Sequence, residues 1–398
     1  LDKWRLSLLV FITFFLSVLL IDLGYMALRW DEAIHAYGGL LLVKGGLQKY
    51  VEGAYYPPLF ELLTAFSFQL LQPSAFSVRL VSLIFGVLCI WACFEYAYLL
   101  YGQRQAILSA IFLSIIPGFI LLCRMALIDV MLTFFITISL LLFFSGWQTG
   151  RAKLLYLSGI TLGLGILSKY PAIIAGVVML VSTILWKESP SSRFSKVLKV
   201  AIIAMAFITP WICFMYITKA AAELTIALNY IREIVSPFKD TEFRMLYSTR
   251  FPTPIFYLFE LSEVISLPIY LCGLLGLGLW LWRRRREDKF SLIWFLVVYV
   301  TFTLIPNKNW RFIVSIFPLL SISAADFVIV IWQRGKKWLN SLQPRFYKIG
   351  VEKVASILLI SITFTAVLNS VITSYRWIEH DAVYIPTQTV CQYVVSHS

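Results

Sequence analysis

Long apolar runs separated by short polar stretches make up most of this chain. A hydrocarbon core about 30 Å thick is crossed by a helix of about 20 mostly apolar residues. The pattern predicts an all-α polytopic membrane protein with about 11 transmembrane helices. The predicted spans lie near residues 5–22, 78–100, 106–122, 130–147, 154–169, 172–186, 198–218, 255–282, 290–306, 312–332 and 354–373.

Composition agrees with this pattern, because 60% of the residues are hydrophobic and only 14% are charged. Soluble domains carry about 25% charged residues. A water-soluble enzyme, a disordered chain and a nucleic-acid-binding module are therefore excluded. The net charge of +13 would indicate a nucleic-acid partner in a soluble protein. Here the cations lie between apolar runs, where they set orientation instead, so we expect no nucleic-acid partner.

The distribution of lysine and arginine predicts a cytoplasmic N-terminus and an external C-terminus. We expect a multi-pass protein of the prokaryotic cytoplasmic membrane, the prokaryotic origin being suggested by chain size alone. Because the sequence begins with Leu1, we also expect the natural chain to start earlier. Residues 1–373 form the predicted transmembrane domain, and 374–398 form an external polar tail that could begin a further domain.

Two external segments differ from simple connections. Residues 23–77 are too many for a turn and too apolar for a linker, so we expect juxtamembrane helices there. In residues 219–254, apolar side chains recur at helical spacing against charged ones. That pattern is typical of an amphipathic helix on the membrane surface.

Asp31, Glu32 and His35 follow the first predicted span. Adjacent carboxylates on a helix do not face each other, so one could face a reaction centre while the other holds a neighbour. The alternative is a helix N-terminus, whose dipole favours acidic residues. His35 lies one helical turn from Asp31, which fits either a metal ligand or an orienting hydrogen bond.

Further polar positions fall on the same predicted side. Tyr55 and Tyr56 could form an interfacial belt or a wall for a bound ring. Arg124 and Asp129 share one short turn, where a surface ion pair is the simpler interpretation. Lysine at the depth of Lys169 must reach the surface, pair with an acid or meet a ligand.

The last external turn adds two cations, Lys308 and Arg311. Cations suit a phosphate leaving group, and a carboxylate suits proton removal from an attacking hydroxyl. The combination indicates group transfer from a phosphorylated lipid. No histidine or cysteine spacing predicts a dedicated metal site, so we expect no required cofactor, with a divalent metal ion as an option.

The order of these motifs resembles that of the C-type-fold (GT-C) glycosyltransferases that use lipid-linked sugars. The resemblance is to the branch with protein O-mannosyltransferases and the lipid A aminoarabinose transferase. It extends over nearly the whole chain and rests on residues 30–33, 56–59, 78–80, 124–129, 159–169 and 308–318.

The resemblance implies a role for each candidate residue. Asp31 would be the catalytic base, and Glu32 and Asp129 would be further catalytic residues, with Asp129 assisting near the reaction centre. The remaining positions would hold the donor phosphate, namely Lys169, Lys308, Arg311 and Arg124, or line the substrate pocket, namely His35, Tyr55, Tyr56 and Tyr170. The chain departs from the pattern at Tyr56, because several relatives carry a basic residue immediately before this proline pair.

The resemblance implies an inverting transfer from a polyprenyl-phosphate-linked sugar to an acceptor hydroxyl on the extracytoplasmic side. The expected partners are that donor, a lipid, glycan or protein acceptor, and membrane lipids. A lipid-linked sugar flippase or other transporter is one alternative, and a non-catalytic subunit that binds lipid carriers is another. Transporters usually place ionisable residues near the bilayer midplane, whereas the predicted cluster lies at one face.

Overall fold

The structure is a computed structural model that describes residues 3–53, 56–186, 190–218, 255–305, 308–341 and the single residue 368. In these residues the fold is entirely helical, which agrees with the predicted class. Tyr55, the predicted amphipathic segment 219–254 and the tail 374–398 lie outside the described residues. So does the predicted span 354–373, apart from residue 368.

Fourteen α-helices follow one another in the described residues. Short 3₁₀ segments at Tyr170–Ala172 and Trp310–Ile316 precede the ninth and the last of them. The helices are α1 (Lys3–Leu20), α2 (Trp30–Gly53), α3 (Leu59–Leu71), α4 (Ala75–Tyr101), α5 (Gln103–Ser114), α6 (Pro117–Arg124), α7 (Asp129–Thr149), α8 (Ala152–Ser168), α9 (Ile173–Leu185), α10 (Pro190–Ile217), α11 (Phe256–Val264), α12 (Leu267–Arg283), α13 (Arg286–Leu304) and α14 (Phe317–Ser341).

The chain is an integral membrane protein, although the number of spans differs from the prediction. Four helical segments in the described residues are long and apolar enough to cross a bilayer, or five if the pair α5 and α6, bent by 65°, is one span. Several predicted spans correspond to helices of 10–17 residues, such as α8. The predicted span 255–282 is divided into α11 and α12 by a break at residues 265–266. The count of eleven is therefore not confirmed.

Among the described residues, the candidate span Trp310–Lys337 lies at the centre of the bundle. In the segment Trp310–Lys337, 89% of an apolar stretch of 18 residues is buried inside the protein, compared with 28% of such a stretch in Phe194–Ile217 of α10. α10 therefore faces the lipid. It packs on α8 through Gly159 and Gly163, where an added Cβ would lie only 2.8 and 3.0 Å from backbone oxygens of α10. This Gly-x-x-x-Gly spacing permits close approach of helices in membranes.

The segment between α1 and α4 folds into the helical hairpin α2–α3. α2 is kinked at Gly46, whose φ of +66° favours glycine. Pro58 precedes α3 and suits a helix start because proline needs no amide partner there. Gly39 lets the two helices meet closely, since a Cβ at this position would lie 2.5 Å from Thr64. The hairpin sets the position of the first turn of α2, which carries Asp31.

Candidate active site

Four charged side chains meet at one end of the bundle and form a continuous ion-pair network. Arg311 Nη1 donates to Asp31 Oδ2 at 2.6 Å. Arg311 Nε and Nη2 donate to Asp129 Oδ2 at 3.0 and 2.8 Å. Lys169 Nζ donates to Asp129 Oδ1 at 2.8 Å. We refer to Asp31, Asp129, Lys169 and Arg311 as the charged cluster.

Each member of the charged cluster stands at the end of a helical element. Asp31 is in the first turn of α2, Asp129 begins α7, and Lys169 is the C-terminal cap of α8. Arg311 lies in the 3₁₀ segment before α14, where Asn309 Oδ1 accepts a hydrogen bond of 2.9 Å from the Arg311 amide. Asparagine is a favoured N-cap. Helix ends separated by up to 280 residues thus converge on one site.

The two carboxylates of the charged cluster differ in exposure. The Asp129 side chain is 1% exposed and both of its oxygens bind cations, whereas the Asp31 side chain is 50% exposed. A buried carboxylate held by two cations stays ionised and orients them. Asp31 shares one oxygen with Arg311 and is accessible, so it is the carboxylate suited to accept a proton.

Glu32 points away from the charged cluster and binds Arg79 on α4. Arg79 Nε and Nη2 donate to the two Glu32 oxygens at 2.7 and 3.0 Å. The remaining Arg79 donors bind the carbonyls of Leu23, Met26 and Ala27. All five N–H groups of this guanidinium are therefore used. The structure places Glu32 in a buried brace between α2 and α4.

The same brace extends to the turn before Asp129. Glu32 Oε1 also accepts a hydrogen bond of 2.8 Å from the Ala126 amide, and Ser82 Oγ binds both the amide and the carbonyl of Leu127. Glu32 is thus adjacent to Asp31 in sequence, and it binds Ala126, which lies three residues before Asp129. It fixes the relative position of the two carboxylates without joining the charged cluster.

His35 makes the orienting type of hydrogen bond. Its Nδ1 lies 2.7 Å from Glu61 Oε1, and both side chains are less than 5% exposed. The rings of Tyr56 and Phe60 lie 5.1 Å from the imidazole. Glu61 Oε2 is buried and has no hydrogen-bond partner among the described residues. His35 therefore ties α2 to α3 one helical turn after Asp31.

Tyr50 connects this region to the neighbouring helices. Its hydroxyl donates to the Tyr56 carbonyl at 3.0 Å, and its ring lies 6.3 Å from Trp211 on α10. Burial, together with the nearby Glu61 and Tyr170, raises the pKa of Tyr50 well above its usual value. Tyr50 remains a neutral donor at physiological pH.

Two residues that were predicted to bind the donor phosphate donate to backbone carbonyls and do not join the charged cluster. Arg124 donates to the Leu19 and Ile21 carbonyls at 3.1 and 2.9 Å, at the end of α1. Lys308 Nζ donates to the carbonyls of Phe302, Thr303 and Ile305 at the end of α13. Basic side chains stabilise the carbonyl ends of helices in this way. The structure does not bring either residue into the charged cluster.

Burial also changes the chemistry of Lys308. The residue is 3% exposed, and desolvation lowers the pKa of its ammonium group to about 8. A Lys308 ammonium that is both buried and held by three carbonyls is a structural cap of α13.

An apolar groove of about 600 Å³ opens beside Lys169, between α8, α9 and α10. Tyr170, the residue after Lys169, lines it together with Trp211 and Tyr216. Nearly all other lining side chains are aliphatic. The groove therefore reaches the residue next to Lys169 of the charged cluster.

No group of three or more histidine, cysteine, aspartate and glutamate side chains in the described residues is arranged to hold a metal ion.

Three positions gain a role that the sequence did not assign. Arg79 belongs to a recognised motif, yet its partner Glu32 is 47 residues away. Glu61 is the one charged residue within α3, and a charge in an apolar helix is itself a signal for a partner. Asn309 could have been found as an N-cap before the 3₁₀ segment.

Comparison with known proteins supports the resemblance that the sequence motifs indicated. The family model described as dolichyl-phosphate-mannose-protein mannosyltransferase matches residues 56–214. This range contains Asp129 and Lys169 but neither Asp31 nor Arg311. An uncharacterized protein of Aquifex aeolicus (strain VF5) is 26% identical over 322 residues, which cover 77% of this chain and 61% of the relative. The chain thus spans less than two thirds of that relative's length.

Several solved structures share the fold. ArnT from Cupriavidus metallidurans, in its apo state, superposes with a TM-score of 0.67 at 16% identity, over 93% of this chain and 76% of ArnT. The same protein bound to undecaprenyl phosphate gives the same TM-score. The oligosaccharyltransferase AglB from Archaeoglobus fulgidus, in complex with an inhibitory peptide and a dolichol-phosphate, has a TM-score of 0.61 at 15% identity, over 93% of this chain and 56% of AglB. The chain has the GT-C fold, and its resemblance to the branch that contains ArnT and the protein O-mannosyltransferases is confirmed.

Proposed function

We propose that this protein is an inverting glycosyltransferase that moves a sugar from a polyprenyl-phosphate-linked donor to an acceptor hydroxyl. One observation carries the proposal: the charged cluster, with two cations and one accessible carboxylate, lies at the end of an apolar groove. The fold and the family model agree with this class of reaction. The ArnT and AglB structures contain undecaprenyl phosphate and dolichol-phosphate, respectively, which supports a lipid phosphate as the ligand here.

Donor binding would rearrange the charged cluster. The tail occupies the groove, and the phosphate accepts hydrogen bonds from Lys169 and Arg311, which Asp129 holds in place. The phosphate competes with Asp31 for Arg311 Nη1, the donor of the 2.6 Å hydrogen bond. Losing this partner leaves the Asp31 carboxylate free to face the acceptor.

In the transfer step, the acceptor oxygen attacks the anomeric carbon from the face opposite the phosphate. The hydroxyl proton moves to Asp31 while the new carbon–oxygen bond forms. The bond between the anomeric carbon and the phosphate oxygen breaks, and polyprenyl phosphate leaves with the electron pair. Lys169 and Arg311 neutralise the charge that develops on this phosphate. Attack from the opposite face inverts the configuration at the anomeric carbon.

The proposal includes no metal ion, because two cations already lie where the phosphate charge develops. Transfer that persists in EDTA would support this assignment, and loss of transfer that Mg²⁺ or Mn²⁺ restores would contradict it. The proposed orientation places the charged cluster on the extracytoplasmic side, where an acceptor lipid, glycan or protein is met.

The decisive experiment is a transfer assay with purified protein, a panel of radiolabelled polyprenyl-phosphate sugars and a lipid extract from the host. We expect one donor to release label in the wild type, and Asp31→Asn to lower the rate by roughly 10²- to 10⁴-fold. Asp22→Asn is the matched control, because it removes the same charge from an exposed position that asparagine tolerates.

Full activity of Asp31→Asn would overturn the assignment of the base. A donor that binds the wild-type protein tightly but is never consumed would overturn the enzyme class. The flippase and the non-catalytic carrier-binding subunit would then account for the site.

A further inference from the structure

One wall of the apolar groove, the one on α10, is nearly as long as the hydrocarbon core is thick. On α10 its lining extends from Val197 to Tyr216, which is about 28 Å at the α-helical rise of about 1.5 Å per residue. The hydrocarbon core of a bilayer is about 30 Å thick. The polar atoms of the lining come from Tyr170, Trp211 and Tyr216, all at the end near Lys169.

The groove is open to the bilayer along its side. Val177 on α9 and Met205 on α10, both lining residues, are 43% and 53% exposed. A tail can therefore enter laterally from the lipid and does not have to thread between helices. Once in place it would contact protein on one side and lipid on the other.

Two small residues keep the groove open at different distances from Lys169. Gly176 lies on the first turn of α9, near the Lys169 end, and an added Cβ there would meet only Leu162, at 3.7 Å. Ala201 is exposed and lies one turn from Val197, near the opposite end. A larger side chain at either position would occupy space in the groove.

We infer that the groove selects donors by the length of their isoprenoid tail, with Gly176 and Ala201 as specificity-determining positions. This inference rests on the proposed function. The inference adds a substrate requirement to the proposed function: the donor needs a tail that extends from the charged cluster through both leaflets, as far as Val197.

The dependence of affinity on tail length would come from contacts between the tail and the groove wall, since the tail is not transferred out of water. A tail that moves from the bilayer into the groove exchanges one apolar environment for another, so the hydrophobic effect contributes little. Dispersion contacts with the ordered groove wall remain, and each is small but they accumulate along the tail. Affinity should therefore rise with tail length until the tail reaches Val197, and isoprene units beyond that point should add nothing.

The test measures the affinity of purified protein in lipid nanodiscs for polyprenyl monophosphates of increasing length, without a sugar. We expect the longest phosphate to bind roughly three- to tenfold more tightly than one whose tail ends at the bilayer midplane. Ala201→Trp should remove this preference, bringing the long phosphate to the affinity of the short one. Gly176→Leu should weaken both, because it obstructs the groove near Lys169.

Ile202→Trp is the matched control, since Ile202 is 58% exposed on the same helix and does not line the groove. This variant should keep the wild-type preference. Equal affinity of the wild-type protein for long and short phosphates would overturn the inference and leave the proposed function standing. A preference that survives both Ala201→Trp and Gly176→Leu would also overturn it. Failure of every phosphate to bind would overturn the proposed function itself.

Discussion

The carboxylate of Glu32 and the guanidinium of Arg79 form a two-point ion pair, with hydrogen bonds of 2.7 and 3.0 Å. The two side chains are 1% and 6% exposed. Such a pair contributes little net stability compared with apolar residues of the same shape, but removing one partner is costly because the other charge stays buried. Its value here is positional, since Glu32 is adjacent to Asp31 and binds the turn that leads to Asp129.

Arg79→Met should therefore destabilise the protein strongly. It leaves the Glu32 carboxylate and three carbonyls without their donor, and loss of one partner of a buried pair typically costs about 3–5 kcal/mol. The buried thiols Cys89, Cys93 and Cys123 offer a readout in a background in which the other three cysteines are replaced by serine, because a thiol-reactive fluorophore then labels the chain only on unfolding. Arg151→Met, at an exposed position, is the control. Equal melting temperatures for the two variants would contradict the role assigned to Arg79.

The different exposures within the charged cluster predict different kinetic effects. Lys169→Gln removes a cation from the donor phosphate and should raise the KM for the donor roughly tenfold or more, with a smaller change in kcat. Asp31→Asn should lower kcat without raising the donor KM, because the base acts on the acceptor and its loss removes a competitor of the phosphate for Arg311. Steady-state kinetics with varied donor separates the two. If Asp31→Asn changed only the KM, Asp31 would be a binding residue.

The sequence predicted the helical class, and it placed on one side of the membrane the four side chains that the structure brings together in the charged cluster. Helix ends on the same side of a membrane share one plane, so Asp31, Asp129, Lys169 and Arg311 could be grouped from topology and motif order. Depth, however, does not specify position around the bundle. Lys308 has the same predicted depth as Arg311, yet it caps α13. That difference depends on packing between helices distant in sequence.

The roles of adjacent acids were equally hidden. Successive residues on a helix point about 100° apart, so Asp31 and Glu32 could not both face the site. Helix geometry alone does not say which one does, and only the family resemblance pointed to Asp31. The answer depends on Arg79, a residue on a different helix. For the same reason the partner of His35 could not be inferred: Glu61 becomes its neighbour only through the α2–α3 hairpin.

The His35–Glu61 contact predicts a strong coupling in a double-mutant cycle. His35→Leu removes the hydrogen-bond partner of Glu61 Oε1, although the Glu61 side chain is only 2% exposed. Because a buried carboxylate that loses its partner is costly, the free energy of unfolding should fall by about 3 kcal/mol or more. The double variant with Glu61→Leu removes both polar groups and should be less destabilised than His35→Leu alone. Thermal unfolding of the four proteins gives the coupling energy. Additive effects would show that the contact has no energetic role.

The lowered pKa of Lys308 predicts how stability changes at alkaline pH. The folded protein loses the Lys308 proton near pH 8, whereas the unfolded chain keeps it up to about pH 10.5. Between these values the unfolded state binds more protons, so the contribution of Lys308 to the free energy of unfolding increases with pH. Below pH 8 both states are protonated and this contribution is constant.

Lys308→Met removes the titrating group while keeping an unbranched side chain against Tyr257, whose ring lies 5.7 Å from the Lys308 ammonium in the wild type. Melting temperatures measured from pH 7 to about pH 10 for the two proteins isolate the effect. The wild-type protein should gain stability relative to the variant as the pH rises above 8, because other titrating groups are common to both. Parallel pH profiles would mean that the Lys308 ammonium keeps its ordinary pKa, and that its three carbonyl partners fully compensate for its burial.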